Sequence, residues 1–203
     1  MNISRFFASV TAVTAWAALA LQLYLIVEKM TSEGAAPLEA LWRFFGFFTI
    51  LTNIAVAIAA AVMVFKDLGA VTRLALVSAI AFVGIVYSAA LRATWQPTGW
   101  QAAADHLLHD ATPLLFAAVW LTSQHGGLRW RDALWAIAAP LTYCLYAWIR
   151  GSGDGWYAYW FLDPTKLDGA RMTASIAILS ASFIALALAF IALDKKLAAR
   201  NSS

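Results

Sequence analysis

Apolar runs about as long as a bilayer is thick recur from one end of this 203-residue chain to the other. A helix needs about 20 such residues to cross the hydrocarbon. Six segments come close: 6–27, 43–65, 72–92, 106–121, 132–149 and 171–193. In lipid a backbone must satisfy its own hydrogen bonds, and these Ala/Leu-rich runs lack the turn-bounded alternation of a barrel. The sequence therefore predicts an all-α fold, an integral membrane bundle of six transmembrane helices in a single domain spanning 1–203. With 63% hydrophobic and 12% charged residues, against roughly 25% charged in soluble domains, no separate soluble domain is expected. The first run starts like a signal peptide, with one Arg before small apolar residues. It continues to Val27, however, which is longer than a typical signal core, and predicts an uncleaved first span.

Arg and Lys in the short connections set the orientation. Arg5, Lys66, Arg73, Arg129, Arg131, Lys195, Lys196 and Arg200 fall on one side; Lys29, Arg43, Arg92, Arg150, Lys166 and Arg171 fall on the other, diluted by most of the acids. The expectation is a multi-pass protein with both termini in the cytoplasm, in the inner membrane if the source is bacterial. The net charge of +3 is scattered, with no basic block, so it reflects topology and nucleic acid is not an expected partner. Cys144 is the one cysteine, which excludes an intrachain disulfide and a Cys-rich metal site.

Against this background nine residues stand out. "DHLLHDATP", 105–113, holds two of the three histidines. His106 and His109 share a helix face at the outer end of the fourth span. Pro113 has no N–H for the His109 carbonyl and must distort the helix there. Ionisable residues at this depth point to function, the alternative being an interhelical hydrogen bond or a headgroup contact. The second span opens with "RFFGFFTILTNIAV", where Gly46, Thr49, Thr52 and Asn53 form a small, polar stripe. Taken alone the stripe is packing; its depth below Arg43, roughly 9 Å for Thr49, brings it level with His109. A threonine hydroxyl becomes a nucleophile when a neutral imidazole takes its proton. Arg43, Arg92 and Arg150 fall at the same end, placed either to grip a lipid phosphate or carboxylate or to snorkel to headgroups. The last external loop, 150–171, carries "WYAYWF", with Trp156 and Tyr159, as an interfacial anchor or a lid. Asp163 in "WFLDP" is suited to orient a histidine or cap a turn.

"GFFTILTN" (46–53), "HLLHDATP" (106–113) and "GWYAYWFLDP" (155–164) resemble, in the same order, motifs of the FAR / androgen-induced-gene family of polytopic membrane proteins. The resemblance implies a threonine hydrolase that cleaves fatty acid esters of hydroxy fatty acids. It puts the nucleophile at Thr49 and the histidine at His109. The chain departs from the animal members at Thr52, where they carry an acid, at the spacing between histidine and proline, and at Trp160.

Together these features lead to an intramembrane lipid ester hydrolase acting on a membrane lipid or fatty-acyl ester. Thr49 would attack and His109 act as base, with His106, Asn53, Thr52 or a backbone N–H steadying the oxyanion. Arg92, Arg43, Trp156, Tyr159 and Asp163 would hold the substrate, and no cofactor is needed. Two alternatives remain open at this level. One is a metal-dependent hydrolase built on His106, His109 and Asp105, Asp110 or Asp163. The other is a bundle that binds or transports a lipid or small molecule without chemistry.

Overall fold

The computed structural model describes residues 2–201, all helix, turn or loop with no strand among them. The chain divides into two compact units, the first ending at Gln124 and the second beginning at His125.

The first unit starts with α1 (Ile3–Ser32), capped by the Asn2 side chain, which accepts from the Arg5 N–H. Its buried stripe of Ser4, Ala8, Thr11, Ala12, Ala15, Ala18 and Leu19 is made almost wholly of small residues. Small side chains let helix backbones approach closely, which drives packing where apolar burial does not. Helix α2 (Pro37–Phe44) opens on a proline, whose missing N–H costs nothing in a first turn. It stops at a turn through Phe45 and Gly46, and the chain re-enters helix as α3 (Phe48–Met63) at 78° to α2. The second predicted span, 43–65, thus takes in only the last two residues of α2, the bend and α3, and Thr49 sits in the first turn of α3.

Helix α4 (Ala70–Val86) runs without interruption into a π-turn, Tyr87–Leu91. Helix α5 (Gly99–His106) leads into a second π-turn, Leu107–Ala111, and then α6 (Thr112–Leu121). Such turns insert one residue into the helix and rotate everything after it. Helix α1 lies against α2, α3, α5 and α6, while α4 packs on α3 and α6. Ala15, Ala18, Leu19, Phe44, Ile50, Ala57 and Leu108 form a buried cluster joining α1, α2, α3 and the second π-turn. One end of the unit is tied by the Ser4 and Ser123 hydroxyls, 3.3 Å apart, and by buried Arg73, which donates to the Leu68 and Gln124 carbonyls.

The second unit holds a 3₁₀ turn (Trp130–Asp132), α7 (Ala133–Ala136), α8 (Ala138–Asp154), a 3₁₀ turn (Trp160–Leu162) and α9 (Gly169–Asn201). Helix α8 ends at Gly155, whose φ of 72° is the left-handed cap that glycine adopts without steric cost. Asp194 on α9 gathers the entrance loop: its Oδ1 lies 3.0 Å from His125 Nδ1, and its Oδ2 accepts from the Gly126 and Leu128 N–H groups.

Among the described residues four helical stretches are long and apolar enough to cross a membrane: Ile3–Ser32, Ala70–Leu91, Trp130–Asp154 and Gly169–Arg200. The bent pair Pro37–Phe44 and Phe48–Met63 makes a fifth if it is one span. The chain has the make-up of a multi-pass membrane protein, and large apolar side chains such as Ile85, Trp148 and Ile178 stand exposed on these stretches. The six spans expected from the sequence become four or five. The missing one is 106–121, where the His/Asp turn occupies the first third and only ten residues, Thr112–Leu121, form an apolar α-helix.

Candidate active site: two facing π-turns

Pro113 explains the second π-turn. It has no N–H, and its ring would strike the carbonyl four residues back, that of His109, so the preceding turn widens. Thr112 closes the widened turn by donating both its N–H and its hydroxyl (2.8 Å) to the Leu107 carbonyl. In this register the Leu108 carbonyl would pair with residue 113, which has no proton to give. Asn53 replaces it: its Nδ2 donates to the Leu108 carbonyl at 3.3 Å and to the Thr49 carbonyl at 2.8 Å. The His109 carbonyl is accommodated by Gly84 on α4. A Cβ there would lie 3.0 Å from that oxygen and 3.3 Å from Pro113 Cβ.

On the same stretch of α4, Tyr87 stacks on the His109 ring with centroids 4.1 Å apart and planes 20° apart. Its hydroxyl donates to Asp105 Oδ2. His109 Nδ1 lies 3.0 Å from the Asp105 carbonyl oxygen and 3.4 Å from Asp105 Oδ1. Both are acceptors, so the neutral imidazole here carries its proton on Nδ1 and its lone pair on Nε2. That nitrogen has no hydrogen-bond partner among the described residues. Tyr87, Asp105 and His109 are therefore one unit, drawn from two helices and largely buried.

A second ionic group forms the rim. Asp110 takes His106 Nδ1 on one oxygen at 2.8 Å and Arg92 on the other, while Arg92 also donates to Ser88 and lies 5.0 Å from the Tyr87 ring centre. The two histidines thus part company: the His106 side chain is 64% exposed and that of His109 14%. The shared face expected of them gives way to two Asp–His pairs, each four residues apart.

Thr49 and His109 are not hydrogen-bonded to each other; the Asn53 amide is a hydrogen-bonded link between their elements, beside the apolar contact of the buried cluster. The Thr49 hydroxyl makes no hydrogen bond among the described residues. The oxyanion role expected of Asn53 conflicts with its bonding. Both amide protons are directed at carbonyls, and what remains is Oδ1, a fully buried acceptor without a partner. An acceptor repels an oxyanion. Thr52 is buried beside it on α3. His106, also expected near the oxyanion, is engaged with Asp110 at the rim.

Of the residues expected to hold substrate, Arg92 is spent on Asp110, and Arg43 lies 3.8 Å from Glu39 one turn earlier on α2. Trp156, Tyr159 and Asp163 belong to the second unit. There the Tyr159 ring stacks on Phe161 at 5.1 Å and meets Tyr143 edge-on at 6.0 Å. The Trp156 N–H donates to Asp154. Asp163 caps its own turn, accepting from the Thr165 hydroxyl and N–H. These bonds, with Lys166 nearby, hold its carboxyl below the usual range. Of the two roles open to Asp163, turn cap is the one with bonds behind it. No three His, Cys, Asp or Glu side chains among the described residues are grouped to hold a metal ion.

No protein-family model, curated protein or solved structure matches the chain.

Asp105, Asp110 and Tyr87 were missing from the catalytic set expected from sequence. The first two carry a readable signal, since D-H-x-x-H-D sets each acid four residues from a histidine, the spacing at which helical side chains meet. Tyr87 has no local signal at all.

Proposed function

We propose that this protein is an intramembrane lipid ester hydrolase, a bacterial-type member of the FAR / androgen-induced-gene family. His109 is the general base and Thr49 the nucleophile. One observation carries the reading: a largely buried imidazole whose Nδ1 is held by the Asp105 carbonyl oxygen, with the Asp105 carboxylate 3.4 Å away, and whose Nε2 is left open, the arrangement a general base requires. The bare Thr49 hydroxyl and the Asn53 bridge from its turn to Leu108 support Thr49 as the partner.

Thr49 Oγ1 forms a bond to the ester carbonyl carbon as its proton passes to His109 Nε2. The carbonyl oxygen takes the negative charge. Collapse breaks the bond to the alkoxy oxygen, which leaves as an alcohol with the proton from His109. Water then attacks the acyl carbon and gives a proton to the same nitrogen; the bond from that carbon to Thr49 Oγ1 breaks, the proton passes from His109 to Oγ1, and the fatty acid leaves. Attack requires the Thr49 hydroxyl to turn to Nε2 when substrate enters. The ester enters sideways from the outer leaflet, and both termini lie in the cytoplasm.

A fluorophosphonate probe is expected to label the purified protein, and Thr49→Ala and His109→Ala each to abolish labelling. Equal labelling of Thr49→Ala and parent overturns the mechanism. Lipid flux in proteoliposomes that survives both substitutions would favour transport instead.

A further inference from the structure

We infer that Tyr87 is a positioning residue for His109. It acts from a different helix, through its ring and through Asp105. The inference rests on the hydrolase reading for its kinetic consequence, but its geometry stands without it.

An imidazole on a surface-facing turn can rotate about two side-chain bonds and can carry its proton on either nitrogen. A general base is useful only when one nitrogen holds its lone pair toward the reacting proton. Asp105 lies one turn before His109 and fixes the tautomer by its carbonyl oxygen, 3.0 Å from Nδ1, with Oδ1 3.4 Å away on the same side. Neither contact prevents the ring from swinging about Nδ1. The nearly parallel Tyr87 ring, 4.1 Å away, blocks that swing from one face. Its hydroxyl also takes Asp105 Oδ2, so the carboxylate cannot turn away from the imidazole. The sequence places Tyr87 there through the π-turn it begins and through Gly84 three residues earlier, which lets α4 come against the His109 carbonyl. Tyr87 is itself buried. It touches the base and need not touch substrate.

The test uses the full chain in nanodiscs, labelled with ¹⁵N-histidine. The sequence has three histidines, and His109 is assigned from the resonances that His109→Gln removes. In the parent, His109 is expected as the Nδ1–H tautomer with a bare Nε2. Tyr87→Leu, which removes ring and hydroxyl, is expected to mix the tautomers. It should lower kcat on a fluorogenic long-chain acyl ester by about 100-fold, the scale of a misplaced catalytic group, with KM within about twofold. Tyr87→Phe keeps the stack and loses the Asp105 bond, so the parent tautomer should persist with kcat between parent and Leu.

An Nε2–H tautomer in the parent overturns the inference. So do nitrogen shifts and kcat in Tyr87→Leu that equal the parent's. Should Tyr87→Leu fail to fold, Tyr87→Phe decides: a kcat equal to the parent's overturns the role of the hydroxyl. A parent that turns over no ester sinks the hydrolase reading, and the nitrogen shifts then judge the positioning role alone.

Discussion

Asn53 bears the sharpest constraint at the residue scale. It is fully buried, and its amide does what Pro113 cannot, supplying a proton to the Leu108 carbonyl. Asn53→Leu is expected to cost about 1–3 kcal/mol, the range for leaving a buried acceptor unpaired. Asn53→Asp is expected to cost more, because a carboxylate would face two carbonyl oxygens with no cation to balance it. Reversible unfolding in mixed micelles, read by tryptophan fluorescence, checks the order Asn > Leu > Asp. Gly84 is the second sensitive point. In Gly84→Ala the new methyl must displace the His109 carbonyl or the Pro113 ring, and the expected loss is about 1–3 kcal/mol, as for other overpacked sites. The same substitution should reduce fluorophosphonate labelling, since the segment it pushes carries the base. Unchanged stability and labelling in Gly84→Ala would mean that α4 and the second π-turn are not in contact.

The two π-turns are the elements on which the site depends. Pro113 produces one of them by withholding a single proton, and the cost is met locally by Thr112 and at long range by Asn53. Pro113→Ala restores the missing N–H. The turn is then expected to relax toward a regular helix, which rotates Asp105 and His109 relative to Tyr87. Stability should be equal or higher while labelling falls. A double-mutant cycle makes the compensation measurable. The penalty of Asn53→Leu should shrink by about 1 kcal/mol or more in a Pro113→Ala background, because the Leu108 carbonyl then has a second donor. Additive penalties would show that the Asn53 bond does not compensate for the proline.

At the scale of the whole molecule, the chain forms two compact units. All the residues of the candidate site lie before Gln124. The entrance to the second unit is held by Asp194, a nearly fully buried carboxylate that serves His125, Gly126 and Leu128 at once. Asp194→Ala strips all three of a partner. It is expected to cost about 3–5 kcal/mol, as for breaking a buried ionic contact. Limited proteolysis should then cut more readily between 125 and 132, with fluorophosphonate labelling of Thr49 retained. Lost labelling with an intact 125–132 segment would tie the site to the second unit instead.

Helical class, four of the spans and the unusual character of 105–113 were determined by sequence alone, because apolar length and a proline act through neighbours along the chain. The i, i+4 pairing of Asp105 with His109 and of His106 with Asp110 was equally local, though the eye falls first on the two histidines. The bend between α2 and α3 was hidden, since "FFGFF", 44–48, is apolar throughout and both helices pack against α1. Tertiary structure alone decided that Asn53 donates to Leu108, 55 residues away, that Gly84 admits a carbonyl, and that Tyr87 lies on His109. Each of these is a contact between helices whose rotation is fixed by an inserted residue, and a one-residue change in register turns a helix face by about 100°. No pattern within a single helix records which face its neighbour will present.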